Sequence, residues 1–319
     1  MEEKILKFFK ENPDVHLSGE QVSASLNISR SAFWKHIEKL RSLGYEFDAV
    51  PHLGYQLRKI PDRLYPQEIL FNLKTERVGK DIIYYDTIGS TNIAAHSLAK
   101  AGAEEGTVVL AESQDKGKGR LSRQWISPSR KGIYMSVLLR PKMTPFQAPK
   151  ITLMAAVSAA QAIREIAGIP VSIKWPNDLF IDKKKIGGIL TEMEAEPDYI
   201  KFLILGIGIN VSTKVSDLPK GAGAIHEFSG RRISRIELTK AILERLESNY
   251  TIFKKDGFSP IRREWRNLSV TLGRRVRAIC MHKKIEGEAV DIDMDGALKI
   301  RLDNGFYERV MAGDIVLLR

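Results

Sequence analysis

The apolar residues of this 319-residue chain change their spacing twice, so no single repeating plan can fold it. Over residues 1–60 they recur at helical intervals in three short runs and then fall into two strand-like runs. From about residue 67 to 265, strand and helix patterns alternate. From about residue 270 only short strands remain, with turns expected at Glu286-Gly287, Asp295-Gly296 and Asn304-Gly305. The stretch from Ile60-Pro61-Asp62 to Tyr65-Pro66 carries two prolines and reads as a linker. No internal repeat or low-complexity tract is present. The sequence therefore predicts an α+β protein with domains over residues 1–62, 66–268 and 270–319.

Bulk properties narrow the class. Hydrophobic residues make up 43% of the chain, yet no stretch has the length and purity of a membrane-spanning helix. The Met-Glu-Glu-Lys start lacks the basic head, apolar block and small-residue cleavage site of a signal peptide, so a cytoplasmic protein with no membrane partner is expected. Cys280 is the only cysteine, which excludes an intrachain disulfide and argues against a cysteine-based zinc site. Within the apolar run Val276 to Met281 it reads as a small core residue. The net charge of +11 suits polyanionic partners, but its location says more. Residues 1–60 are nearly neutral, whereas residues 113–131 set Lys116, Lys118, Arg120, Arg123, Arg130 and Lys131 against Asp115 alone. Such clustering in a short Gly- and Ser-containing stretch asks for a specific anion.

In the first segment Ile5, Leu6, Phe8 and Phe9 give a helix its apolar face. Ser18-Gly19-Glu20-Gln21 has the form of a capping box, with Ser18 as N-cap and Gln21 reaching back. After the turn Leu26-Asn27-Ile28, Ser29 caps a helix that buries Phe33, Ile37 and Leu40 and ends at Gly44. Strands over Tyr45–Val50 and Tyr55–Leu57 flank the turn Pro51-His52-Leu53-Gly54. This order is a winged helix-turn-helix, whose exposed second helix enters the major groove in DNA-binding proteins. Ser29, Arg30, Ser31, Lys35, His36 and Lys39 are the candidate DNA-binding residues. Other winged helices serve protein contact; the four basic residues against one acidic between Ser29 and Leu43 favour DNA.

In the central segment Ile82–Tyr85 reads as a strand and Ile93–Lys100 as a helix. Ser90, Thr91 and Asn92 then lie at the helix start, where N-capping alone would account for them. After the strand Thr107–Glu112, Gln114 opens a loop through Lys118-Gly119-Arg120 to Arg123 and Trp125. Its glycines permit close backbone approach, its cations suit phosphate, and Trp125 can stack on a base or close an apolar pocket. The loop lacks the spacing of a Walker A or dinucleotide motif. Beyond the strand Val171–Trp175, Pro176 fixes the geometry of Asn177 and Asp178. Lys183-Lys184-Lys185 then runs into Ile186-Gly187-Gly188-Ile189-Leu190-Thr191-Glu192, which suits either approach to a carboxylate or phosphate or a solvated hairpin. The buried strand Phe202–Leu205 ends in Gly206-Ile207-Gly208-Ile209-Asn210, whose glycines suit packing and whose Asn210 suits a base.

The Gly-Lys-Gly-Arg-x-x-Arg-x-Trp loop, Lys-Trp-Pro-Asn-Asp, Lys-x-Gly-Gly-Ile-Leu and Gly-Ile-Gly-Ile-Asn occur in that order. Together they resemble the biotin protein ligase, or biotin–[acetyl-CoA-carboxylase] ligase, family. With the winged helix in front, essentially the whole chain resembles the family's bifunctional ligase and biotin operon repressor type. The resemblance implies a central mixed-sheet α/β ligase domain of the class II synthetase-like type and a small C-terminal β-barrel. It implies that biotin is held by Ser90, Thr91, Asn92, Gln114, Lys118, Gly119, Arg120, Lys185 and Gly188. Trp125 would pack on adenine, with Arg123, Asn177 and Asn210 as further nucleotide ligands. Lys185, Arg120 and Asp178 would serve catalysis, Asp178 by placing Mg2+ or the phosphate. In one departure, Lys118 stands where the family loop carries arginine, keeping the charge but losing the planar bidentate fork. Arg274, Arg275 and Arg277 contact nucleotide or acceptor, or form a solvated strand face.

The implied reaction joins biotin and ATP as biotinyl-5′-AMP, then passes biotin to a lysine of a biotin carboxyl-carrier protein. The implied second activity is repression at operator DNA by a homodimer formed when adenylate is bound. A biotin-sensing repressor that has lost catalysis is the alternative. A lipoate-type ligase is disfavoured by the glycine-basic loop with Trp125.

Overall fold

The computed structural model describes residues 1–280 and 283–318, and the chain divides into two compact units, residues 1–63 and 64 onward. Met281, the end of the apolar run around Cys280, lies outside the described residues. No helix among the described residues is long and apolar enough to cross a membrane.

In the first unit α1 (Glu2–Glu11), α2 (Gly19–Ser25) and α3 (Arg30–Ser42) precede the antiparallel hairpin of β1 (Glu46–Val50) and β2 (Gly54–Lys59). Ile5, Leu6, Phe9, Phe33, Ile37 and Leu40 are buried, and Phe9 meets Phe47 edge-on with ring centroids 5.1 Å apart. Ser29 caps α3 by accepting from Ala32 N–H at 3.1 Å, and Gly44, at φ +98°, follows its end. The capping box expected at Ser18 takes another form: Ser18 accepts from Glu20 N–H at 3.3 Å, one residue short of Gln21. Leu17 exchanges two backbone hydrogen bonds with Tyr55. A Cβ on Gly54 would lie 2.2 Å from Leu17 O, and its φ is +109°, so only glycine fits that turn.

The second unit is built on a seven-stranded mixed sheet in the order β3-β4-β5-β9-β8-β7-β6. Its strands are β3 (Ile82–Ile88), β4 (Val108–Gln114), β5 (Gly132–Leu139), β6 (Ser172–Lys174), β7 (Asp178–Ile181), β8 (Lys184–Ala195) and β9 (Ile200–Asn210). Only β3 and β4 pair in parallel. The helices are α4 (Pro66–Leu70), α5 (Thr91–Lys100), α6 (Ala148–Ala167), α7 (His226–Ser229), α8 (Arg235–Asp256) and α9 (Phe258–Leu268). Strand periodicity decides what each face of the sheet holds. Ile133, Met135, Val137 and Leu139 of β5, with Leu203, Leu205, Ile207 and Ile209 of β9, join the main core, which also takes in α6, α8 and α9. The intervening Leu138, Phe202 and Ile204 pack instead with Ala95 and Ala99 of α5. The face bearing α5 is the one on which the cavity opens.

Five antiparallel strands follow in the order β13-β12-β11-β10-β14: β10 (Arg275–Cys280), β11 (Lys283–Ile292), β12 (Leu298–Arg301), β13 (Tyr307–Val310) and β14 (Asp314–Leu317). Val276, Ala278, Leu298 and Ile300 are part of the main core. Trp175, 2% exposed, fastens this sheet to the larger one: its N–H donates to Thr271 Oγ1 at 2.9 Å and its indole to Gly296 O at 3.1 Å. Turns form at Asp295-Gly296 and Asn304-Gly305. Glu286-Gly287 is no turn but the middle of β11, where a Cβ on Gly287 would come 2.2 Å from Arg301 O. That glycine serves close strand approach, which a sequence pattern cannot separate from a turn.

The expected linker also ends earlier than Tyr65-Pro66. Leu64 is fully buried, and its N–H donates to Glu112 Oε1 at 2.8 Å; Pro66 begins α4. Glu112 is paired at 2.8 Å with Arg235, which also donates to Gly132 O, and both charges are almost wholly buried. Each charge thereby has partners for its hydrogen-bonding capacity, the condition under which a buried pair is tolerated.

Candidate active site

A cavity of about 630 Å³ lies on the α5 face of the mixed sheet. Ser90, Thr91, Asn92, Gln114, Lys118, Gly119 and Arg120 all border it. So do Arg123, Trp125, Asn177, Asp178, Lys185, Gly188 and Asn210. Residues singled out over more than a hundred positions of sequence therefore converge on one space.

One end of the cavity is a neutral hydrogen-bonding pocket at the start of α5. Ser90 occupies the N-cap position without a side-chain cap bond. Thr91 donates from N–H and Oγ1 to Gln114 Oε1 at 2.9 and 3.1 Å, and Gln114 Nε2 donates to Ser127 Oγ at 3.0 Å. Asn92 Nδ2 donates to Glu192 at 2.6 Å, and Asn92 Oδ1 accepts from Ser136 Oγ at 2.6 Å. These side chains are positioned by one another rather than used to cap the helix, so N-capping does not explain them.

Two glycines of β9 make this possible. Where Phe202 and Ile204 fill the α5 face, Gly206 and Gly208 leave it bare. A Cβ at 206 would lie 2.3 Å from Asn92 Oδ1, and one at 208 would lie 2.6 Å from Trp125 ring atoms. Trp125 thus packs directly against the sheet at Gly208, with Gly188 beside it. The expected strand ending near Leu205 instead runs through both glycines to Asn210.

The other end is cationic. Lys185 Nζ sits 2.6 Å from Asp178 Oδ1 and 5.6 Å from the Trp125 ring centroid. The backbone of Lys185 is clasped by Gly221 O and Gly223 N–H, each at 2.9 Å, while Lys184 turns away to Glu227 at 2.6 Å. Arg120 donates to Asn177 Oδ1 and to Gly313 O, both at 3.0 Å, and Arg123 pairs with Asp314. Asn177 Nδ2 is bonded to Ile189 O at 2.7 Å, and Asn210 Nδ2 to Gly223 O at 3.0 Å, while Asn210 Oδ1 is buried without a partner. Arg275 and Arg277 lie in ion pairs with Asp303 and Glu286 on the outer strands.

Sequence reasoning missed several residues. Glu192 and Lys174 stood inside noted motifs but were given no task. Ser136 and Asp314 carry no local signal; only the fold brings Asp314 to the cavity and buried Ser136 behind Thr91 and Asn92.

In the first unit the expected DNA-binding face is only partly free. Lys39 and His36 reach Glu2 of α1 at 2.6 and 3.3 Å, and Arg30 pairs with Glu20. The Lys39 hydrogen bond is the chief cause that holds the Glu2 carboxyl down at about 2. Lys35 is exposed and in no ion pair among the described residues, and beside it Trp34 is 53% exposed, an apolar side chain the charge pattern did not flag.

The Biotin/lipoate A/B protein ligase family matches residues 84–210, an HTH domain matches residues 2–56, and the Biotin protein ligase C terminal domain matches residues 271–318. The chain is 40% identical to the Bifunctional ligase/repressor BirA of Bacillus subtilis, covering 98% of this chain and 97% of that protein. It is 31% identical to the Escherichia coli K12 protein of the same name, covering 96% and 94%. The solved structure of a biotin protein ligase from Aquifex aeolicus in complex with biotin and ATP superposes with a TM-score of 0.65 at 30% identity, covering 75% of this chain and 99% of that one.

Close packing against Trp125 makes Gly208→Ala a sharp probe. The new methyl has no room beside Trp125, so the ring is expelled and stability falls by about 1–3 kcal/mol. Intrinsic fluorescence of the four tryptophans should change in this variant and not when the same change is made in a Trp125→Phe background. Unchanged emission from Gly208→Ala would mean the ring does not rest on that glycine.

Proposed function

The chain belongs to the biotin protein ligase family, in its bifunctional ligase/repressor form, and from that premise we propose how its cavity makes and guards biotinyl-5′-AMP. The protein is an ATP-dependent biotin–protein ligase and, through its helix-turn-helix, a biotin-responsive repressor. The observation that carries the assignment of the site is the division of one cavity into a neutral amide-binding end and a cationic end.

Ser90, Thr91, Asn92 and Gln114 offer the mixed donors and acceptors that a ureido ring requires. Leu190, paired opposite Gly206 on the cavity face, and the Trp125 ring give an apolar wall that suits the rest of biotin and directs its carboxylate towards Lys185. Trp125 receives the adenine, with the buried Asn177 and Asn210 as polar groups of the same cavity. The carboxylate oxygen attacks the α-phosphorus, the bond to the bridging oxygen breaks, and pyrophosphate leaves. Two anions must meet, so positive charge placed beforehand is the main catalytic need. Lys185 exchanges Asp178 for substrate; the pair is partly solvated, so the exchange costs little. Arg120 is held by Asn177 and Gly313, so its guanidinium is oriented before substrate arrives. Lys118 and Gly119 close over the adenylate and keep water out. In the second half-reaction the acceptor lysine amine attacks the anhydride carbonyl, loses a proton and releases AMP. The acceptor is a biotin carboxyl-carrier domain.

Magnesium fits only as an ion that arrives with the nucleotide. Among the described residues no group of three or more His, Cys, Asp or Glu is placed to hold a metal, and Asp178 is a single carboxylate. Asp178 together with phosphate oxygens would make up an ordinary magnesium donor set, and the ion would supply charge neutralisation there.

Lys185→Ala should lower biotin-dependent ATP–pyrophosphate exchange by roughly 10²-fold or more with an unchanged thermal melt. Near-normal exchange would remove Lys185 from the reaction. The regulatory reading is linkage: adenylate orders residues 115–131, favours a homodimer, and pairs two DNA-binding units on one operator. Operator titrations at fixed salt should show tighter binding with biotin and ATP present; equal affinities would refute the coupling.

A further inference from the structure

The registers of four strands align one row of residues across the sheet. Gly208 of β9 is opposite Gly188 of β8, Gly188 is opposite Asp178 of β7, and Asp178 is opposite Lys174 of β6. Residues directly opposite one another point to the same face, so all four lie on the cavity side. Strands are about 4.8 Å apart, which puts Lys174 roughly 14 Å from the Trp125-covered glycine and one strand beyond Asp178.

The exposed Lys118 and Lys220 also lack an ion pair among the described residues; Lys174 differs from them in being half-buried and from the remaining cavity cations in having no such partner. Lys185 has Asp178, Arg123 has Asp314, and Arg120 has Asn177 and Gly313. Lys174 is half-buried yet has no carboxylate within ion-pairing distance among the described residues; its Nζ lies 5.5 Å from the Phe180 ring centroid. Burial holds its ammonium below the ordinary lysine value; Asp178 and Asp314 oppose that, and the charges of Lys185 and Arg123 add to it. A lysine that only covered an apolar ring would keep its amine in water. This one faces a cavity that already holds an excess of positive charge, an arrangement that only a polyanion relieves.

We propose that Lys174 is a further catalytic residue that holds the outer phosphates of ATP and the pyrophosphate that leaves. This rests on the ATP-dependent reading of the same cavity. The row gives the order of parts: adenine over Gly208, the α-phosphate at Lys185 and Asp178, and the β- and γ-phosphates on Lys174 at the edge strand. Charge held there stabilises the oxygen that takes the electron pair when the α–β bridge breaks.

The assignment separates ligands that carry the outer phosphates from those that do not. In Lys174→Met, ATP and pyrophosphate should each show a KM raised roughly tenfold or more, the loss expected for one charge-assisted contact. Affinity for preformed biotinyl-5′-AMP, which has only the α-phosphate, should change by less than about twofold on the same basis. Lys174→Arg should recover most of the ATP affinity, which a purely structural role would not require. Unchanged KM for ATP and pyrophosphate, or equal weakening of biotinyl-5′-AMP, would overturn the assignment. If the unaltered protein itself shows no biotin-dependent exchange, the ligase reading fails and takes this proposal with it, whereas a defect confined to the variants' response bears on Lys174 alone.

Discussion

The missing side chains at 206 and 208 are what the rest of the site depends on. β9 alternates large residues on its α5 face, Phe202 and Ile204, until Gly206 and Gly208, and there the sheet surface drops by the depth of a side chain. Asn92 and Trp125 descend into that space, one from a helix start and one from the basic loop. Any Cβ there collides at 2.3 or 2.6 Å. The neutral pocket and the tryptophan platform therefore share one cause, a local break in strand packing at the centre of the sheet. A central strand gives up packing and backbone order by carrying glycine, so their place here matches the close approach they permit.

Charge is arranged on the same economy. Three of the cavity cations are held by internal partners: Asp178 for Lys185, Asp314 for Arg123, Asn177 and Gly313 for Arg120. Such contacts keep the groups oriented and are weak enough, being partly solvated, to yield to a polyphosphate. Two of the partners, Gly313 and Asp314, lie at the entry to β14, so the C-terminal sheet helps to hold the basic loop. That accounts for the anchoring of this sheet through Trp175 and for its sharing of the main core. In the DNA-binding unit Glu2 plays a comparable part, occupying Lys39 and His36.

Much of this was legible in the sequence, for physical reasons that can be named. Ser29 and Gly44 mark the ends of α3 because capping and left-handed backbone are local needs. The winged-helix order and the alternation of strands and helices in the central segment followed from apolar spacing. The cavity-lining residues were found through motifs whose glycines and cations are unusual for plain packing. What failed was context. Glu286-Gly287 resembles a turn, but its glycine answers to Arg301 on a neighbouring strand. Ser18 caps through Glu20 because helix entry geometry, not residue type, selects the donor. Tyr65 and Pro66 look like linker, yet Leu64 before them is fixed by Glu112, nearly fifty residues away. Asp314 and Ser136 lie too far along the chain from their partners for any local pattern to join them.

The central claim is that one cavity activates biotin with ATP and then shields the product. The most direct measurement is to incubate the protein with biotin, ATP and Mg2+, remove free small molecules by gel filtration, and determine the mass of what stays bound by native mass spectrometry. The account predicts one equivalent of biotinyl-5′-AMP per chain, released on addition of acceptor protein. Recovery of biotin or ATP alone, with no adenylate on the protein, would contradict it.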